Sequence, residues 1–271
     1  MPTDERLTKQ QRREAAREQA RKLREEQERR EKRNRLIVIV GVVVGLVAVA
    51  ALVWAIVSSS GRSALDDVAR PAGSDAAGGI PVGSSLEAGT TNEGAPEVSV
   101  YLDYTCSYCG QFEAVNAADL ETLAAGGEAT VRFHPVAILD GSDGAYTDFS
   151  GQAVNAAATV AEYAPAQFLD FHTELFTLWD AAVQEAVDAG ASAVEEPTVA
   201  DIQATAAAVG VPQDVVERIP DGEFADWVAA TTRQFGRDGF QGTPTVLVDG
   251  EEFLGWPEAG ALADEVRGTA D

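Results

Sequence analysis

The run from Leu36 to Val57, LIVIVGVVVGLVAVAALVWAIV, is twenty-two residues long and carries no charge. A helix of this length, rising 1.5 Å per residue, reaches roughly 33 Å, enough to cross a bilayer's hydrocarbon core. A buried core helix would seldom go six turns without a polar position. A cleaved signal peptide has an apolar core of about 7 to 15 residues closed by a small-residue Ala-x-Ala site; this run is longer and continues into Ile56, Val57 and Ser58. A retained single-pass signal anchor is therefore expected. No cysteine stands at the end of the run, which excludes a lipoprotein anchor. Gly41 and Gly45 form a Gly-x-x-x-Gly pattern of the kind that lets two spans approach, although a Val, Ala and Gly-rich run produces it readily by chance.

The same run separates two charge regimes. Residues 1–35 hold thirteen Lys and Arg against eight Asp and Glu, a net of +5, while residues 36–271 hold seven against thirty-six, a net of -29. Arg29, Arg30, Lys32, Arg33 and Arg35 lie just before the span, so the amino terminus is expected in the cytoplasm and the acidic body outside the cell membrane. The bilayer is thus one expected partner, through the anchor. Nucleic acid is excluded for the body, because phosphate recognition needs a positive face. Residues 1–35 have few apolar side chains but place Glu four residues before a base at Glu18 and Lys22, Glu25 and Arg29, and Glu28 and Lys32. They read as a solvated helix that sets topology, with attraction to anionic headgroups as the alternative. Residues 58–95, rich in Ser, Gly, Ala, Asp and Pro, read as a disordered linker reaching roughly 30 to 40 Å.

Beyond the linker, Glu97 to Tyr104 alternates β-branched and aromatic residues and predicts a strand. The next stretch predicts a helix with Phe112, Val115 and Leu120 on one side, ended by Gly126 and Gly127; Ala129 to Leu139 predicts a second strand, parallel to the first. About ninety helical residues follow. One helix opens near Ser150, one carries Phe168, Phe171, Leu175 and Leu178, one starts at Thr198 with Asp201 three residues on, and one surrounds Trp227. Thr245 to Val248, the turn dipeptide Asp249-Gly250, and Glu251 to Leu254 predict a hairpin, and Pro257 to Arg267 a closing helix.

The chain has two cysteines, Cys106 and Cys109, which excludes a disulfide framework and a four-cysteine zinc site. They lie where a strand gives way to a helix. There the first-turn N–H groups and the helix dipole favour negative charge, so the first cysteine ionises more readily, and the thiolate is the nucleophile. The second, one turn on, can close a disulfide with it or resolve a mixed one. A static disulfide and a metal site, which would have only His134 and His172 to add, are the competing readings. Both histidines read as structural, His172 on the apolar face of its helix. Asp140, Asp143 and Asp148 miss the EF-hand spacing and read as a solvated loop.

Three pieces, VYLDYTCSYCGQFE, FLDFHTELF and FQGTPTVLVDGEEF, resemble the DsbA-like thiol:disulfide oxidoreductases of the thioredoxin superfamily over about residues 96–270. The resemblance implies an α/β thioredoxin fold with an inserted helical domain: residues 96–144 and 235–271 would form the thioredoxin-like part and 145–234 the insert. It implies catalysis by Cys106 and Cys109, with Ser107 and Tyr108 as the active-site dipeptide. It also implies that Pro244 is cis and that Thr243 and Pro244 position a substrate backbone. Asp103 reads either as a proton relay or as an exposed strand-end carboxylate. Two departures stand out: Ser107 and Tyr108 replace the usual proline or histidine, and Val100 occupies the place of a buried acid six residues before the nucleophile. No cofactor and no metal are implied. The partners implied are extracytoplasmic thiol-containing clients and a membrane redox protein that reoxidises the pair. An oxidase suits an oxidising compartment; a reductase or isomerase, and a thioredoxin-fold binding module without activity, remain alternatives.

Overall fold

Along the strand Glu97–Leu102 (β2), Val98, Val100 and Leu102 face one way and Tyr101 the other, and all four are buried. A strand covered on both faces belongs at the centre of a sheet. A computed structural model describes residues 63–65, 68–140 and 146–269 and places β2 there. The expected cytoplasmic segment, the span at 36–57 and residues 58–62 lie outside the described residues. Among the described residues no helix is long and apolar enough to cross a membrane.

On one side β2 pairs in parallel with Thr130–Pro135 (β3), and on the other it pairs antiparallel with Thr245–Val248 (β4). The register sets Val98 beside Val131 and Val248, and Val100 beside Phe133 and Val246, making a continuous apolar layer on one face. Tyr101, Val136 and Phe235 form a smaller cluster, joined by Ile138, Phe240 and Leu247. Asp249 and Gly250 both take positive φ, 47° and 85°, as a two-residue hairpin turn requires, and lead into the short edge strand Glu251–Glu252 (β5). β3 is shorter than expected: its ladder stops at Pro135, which has no N–H to donate.

The other edge overturns part of the linker reading. Ile80–Val82 (β1) pairs antiparallel with β3, and Ile80 and Val82 are fully buried. Burying two such side chains contributes about 1.5–3 kcal/mol each, far more than a disordered tether would gain. The preceding turn is also built. Asp75 accepts from the N–H groups of Ala77 and Gly79 at 2.8 Å each and meets Arg132 of β3 at 3.3 Å, and Arg132 also pairs with Glu97. Three strand residues between glycines, the middle one a proline, are too few to show periodicity, and their burial comes from β3, fifty residues on.

The helix Ser107–Ala125 (α1) follows β2 directly and buries Cys109, Phe112, Leu120 and Leu123. Between β3 and β4 come Phe149–Tyr163 (α2), Phe168–Ala189 (α3), Val199–Ala208 (α4), Gln213–Val216 (α5) and Ala225–Arg237 (α6); Ala261–Thr269 (α7) closes the chain. In α3 the buried positions Phe168, Phe171, His172, Leu175 and Phe176 follow the spacing of one helical face. In α4, Thr198 and Asp201 form a reciprocal capping box, as the Thr-x-x-Asp spacing predicts. Helices and sheet share one core, which runs from Ile80 and Phe133 through Phe171 and Trp227 to Leu262.

Candidate active site

Strand β2 ends at Leu102, and the turn from Asp103 to Thr105 delivers Cys106 to the N-cap of α1, with φ -80° and ψ 116°. No side chain caps this helix, so its first N–H groups are directed at whatever occupies the cap position. That occupant is a sulfur. Both cysteines are free. Cys109 is almost fully buried, whereas Ser107 and Tyr108 are exposed, Tyr108 by 62%.

The two thiols titrate in opposite directions. Cys106 is lowered to about 6: the hydrogen bond from the Cys109 thiol is the largest cause, burial opposes it, and Thr243 and the N–H groups of Cys109 and Tyr108 add to the lowering. Cys109 is pushed up, first by burial and then by its bond to Cys106 and the charge on that residue. The largest lowering thus comes from the buried thiol one turn on, the first-turn N–H groups add the least, and the intervening dipeptide supplies no histidine or proline.

Thr243 and Pro244 stand across from the pair, joined by a cis peptide bond as the resemblance implies. The Cys106 thiol donates to the Thr243 carbonyl at 3.3 Å. The Thr243 hydroxyl is buried with no hydrogen-bond partner of its own, and the Thr243 side chain favours the ionised form of both cysteines. The sequence implies a role for the backbone of this residue and not for its side chain.

Asp103 is fully buried, which corrects the exposed strand-end alternative. Its carboxylate accepts from the Thr105 N–H at 2.9 Å, the Thr105 hydroxyl at 2.8 Å, the Ser150 hydroxyl at 2.8 Å and the Leu139 N–H at 3.0 Å. Its carbonyl receives the Cys106 N–H at 3.0 Å. With its side chain engaged by these four donors, Asp103 meets the cysteine pair through its main chain and ties the turn to the start of α2. That geometry suits a positioning residue rather than a proton relay. Asp140 accepts from the N–H groups of Asp148 and Gly151 at the same helix start; Asp143 lies outside the described residues.

A buried polar chain behind the turn was not anticipated as a unit. The Tyr104 hydroxyl lies 2.9 Å from His172 Nδ1, His172 Nε2 lies 3.5 Å from Glu113, and Thr173 donates to Glu113 at 2.6 Å. Burial pushes Tyr104 well above its ordinary value, reinforced by the charges of Glu113 and Asp103. Burial would also raise Glu113, yet the field of His172 and the bonds from His172 and Thr173 hold it low. His172 is buried, as its place on an apolar face implies. The spacing of Glu113 four residues after Cys109 was the available signal, but its partner lies on another helix.

A thioredoxin family model matches residues 89–264. No curated protein sequence matches the chain significantly. Among solved structures, the chain is similar to MdbA, a thiol-disulfide oxidoreductase from Actinomyces oris, at 26% identity and a TM-score of 0.61, covering 77% of this chain and 96% of that one. It is similar to reduced DsbA from Mycobacterium tuberculosis at 25% identity and a TM-score of 0.57, covering 70% and 91%. BdbD from Bacillus subtilis shares the fold at 17% identity and a TM-score of 0.55, covering 75% and 99%. A reactive cysteine at a helix start, a buried partner one turn on and a threonine-proline pair across from them agree with that match: the chain belongs to the thioredoxin family, as a DsbA-like thiol-disulfide oxidoreductase.

Proposed function

We propose that this chain introduces disulfide bonds into thiol-bearing proteins outside the cytoplasm, held at the cell membrane by the span at 36–57. The observation that carries the direction is the opposite titration of its two cysteines, Cys106 lowered to about 6 and Cys109 raised. In the oxidised protein a client thiolate attacks Cys106 sulfur, the Cys106–Cys109 bond breaks, and Cys109 leaves and takes a proton. A second client thiolate then attacks the client sulfur of the mixed disulfide, closing the client's bond and releasing Cys106 as a thiolate. Two electrons pass from client to enzyme. The lower the pKa of the departing thiol, the faster it leaves, so a stabilised Cys106 thiolate favours release in this direction. Thr243 and Pro244 would line up the client backbone beside Cys106, and Ser107 and Tyr108 would meet it from the exposed turn.

Because the chain has no third cysteine, the electrons must leave through a separate protein. A membrane redox partner is the expected acceptor. The test is the reduction potential of the full chain in detergent against glutathione. A value toward that of DsbA, about -120 mV, supports an oxidase, and one near that of thioredoxin, about -270 mV, overturns it. A Cys109→Ser variant should accumulate mixed disulfides with clients in cells; a folded variant that forms none would favour a binding module. Protease added to intact cells should reach the acidic body, and protection would reverse the topology.

A further inference from the structure

Helix α3 runs past the active-site turn and touches it repeatedly along one stripe. His172 meets the Tyr104 hydroxyl, and Phe176, one turn on, packs against the Tyr104 ring with centroids 5.0 Å apart. Asp180, a turn further, brings its carboxylate to Gly110, the residue after Cys109. A Cβ placed on Gly110 would stand 3.4 and 3.5 Å from the two Asp180 oxygens. Trp179 stacks on Phe149 at 15°, fixing this part of α3 against α2. The carboxylate is exposed, so it is available to whatever approaches the dithiol.

The flanking sequence carries charge of the same sign. Residues 133–217 contain fourteen Asp and Glu and no Lys or Arg, and α1 itself carries only acidic charges. We propose that Asp180 is a specificity-determining residue of the dithiol, selecting cationic partners: client segments with Lys or Arg beside the reacting cysteine. The inference rests on the reading of Cys106 and Cys109 as the exchanging pair. A unit charge beside Gly110, the residue after Cys109, near a protein surface, changes the encounter of an oppositely charged partner by about three- to ten-fold.

Small disulfides of defined charge test this directly. Reduced full-length protein in detergent is mixed with cystamine, which is dicationic, bis(2-hydroxyethyl) disulfide, which is neutral, or dithiodiglycolate, which is dianionic. In each case Cys106 thiolate attacks one sulfur and expels a thiolate, and Cys109 then displaces the second, losing its proton as the protein disulfide closes and two electrons pass to the reagent. Rates are followed by the loss of thiolate absorbance at 240 nm and normalised to the same reagent's rate with 2-mercaptoethanol. Cystamine should react about ten-fold faster than dithiodiglycolate after normalisation. Asp180→Asn should cut that ratio by about three-fold or more with the neutral rate nearly unchanged, and Asp188→Asn, two turns further along α3, should leave it intact. A ratio that Asp180→Asn does not move, or that Asp188→Asn moves equally, overturns the assignment. Failure of the neutral disulfide to react would instead overturn the exchange reading on which it rests.

Discussion

The Cys106 thiol donates a hydrogen bond to the carbonyl of Thr243 at 3.3 Å, across 137 residues of chain. This contact sets the Thr243 side chain, which favours the ionised form of both cysteines, beside the pair. Thr243→Val keeps the carbonyl and removes the hydroxyl. Cys106 should then titrate higher than about 6, by up to about one unit, since a hydrogen bond to the charged form is lost. Thiolate absorbance at 240 nm against pH in the reduced protein reads the shift, because Cys109 is raised and stays protonated across this range.

The reduced protein should gain stability between about pH 6 and pH 8.5. Cys106 is depressed in the fold relative to a free thiol near 8.5, so its contribution is complete above the unfolded value and is lost as pH falls through about 6. Discounted for the partial solvent exposure of the sulfur, this is about 2 kcal/mol. Cys109 is raised and so works the other way only above the free-thiol value. Urea midpoints of reduced and oxidised protein, compared at pH 6 and 8.5, should diverge as pH rises; parallel curves would contradict the assignment.

His134 should make the fold acid-sensitive in a lower window. It is buried with both ring nitrogens unpartnered, stacked on Tyr101 at 4.1 Å, and burial lowers it to about 4. The charges of Asp75 and Glu97 oppose that lowering and Arg132 adds to it. Because the unfolded chain takes up this proton first, stability falls as pH drops from about 6.5 to about 4, by about 3 kcal/mol in all. His134→Leu should flatten this part of the urea midpoint profile, and an unchanged slope would assign the loss to other groups.

Gly79→Ala should destabilise by about 1–3 kcal/mol, the usual cost of overpacking. The added Cβ would stand 2.6 Å from the His134 ring and 2.8 Å from an Asp75 oxygen, and Asp75 is held by Ala77, Gly79 and Arg132. Thermal melting decides it. An unchanged melting temperature would mean that residues 75–79 do not pack on the sheet.

Tyr104→Phe should cost about 1–3 kcal/mol, because His172 Nδ1 would remain buried without its partner at 2.9 Å. Urea unfolding of the variant measures the loss.

Several features were legible in the chain itself because they depend on neighbours a few residues apart. The alternation of Val98, Val100 and Leu102, the one-face spacing of Phe168, Phe171 and Leu175, the Thr198 and Asp201 cap, the Asp249-Gly250 turn and the two cysteines one turn apart all declare local structure. The strand and helix flanking Cys106 already implied a favoured thiolate. Only the tertiary structure decided what lies beside that thiolate. Ile80 and Val82 became a strand because β3 offered an open edge. Asp103 became an internal tie because Leu139 and Ser150 fold back over it. Thr243 reached Cys106 from 137 residues away, and Asp180 reached Gly110 from 70. Backbone propensity and side-chain periodicity act within a few residues, whereas desolvation, hydrogen bonding to a sulfur and the field of a carboxylate depend on distance in space, which the packing of the whole domain sets.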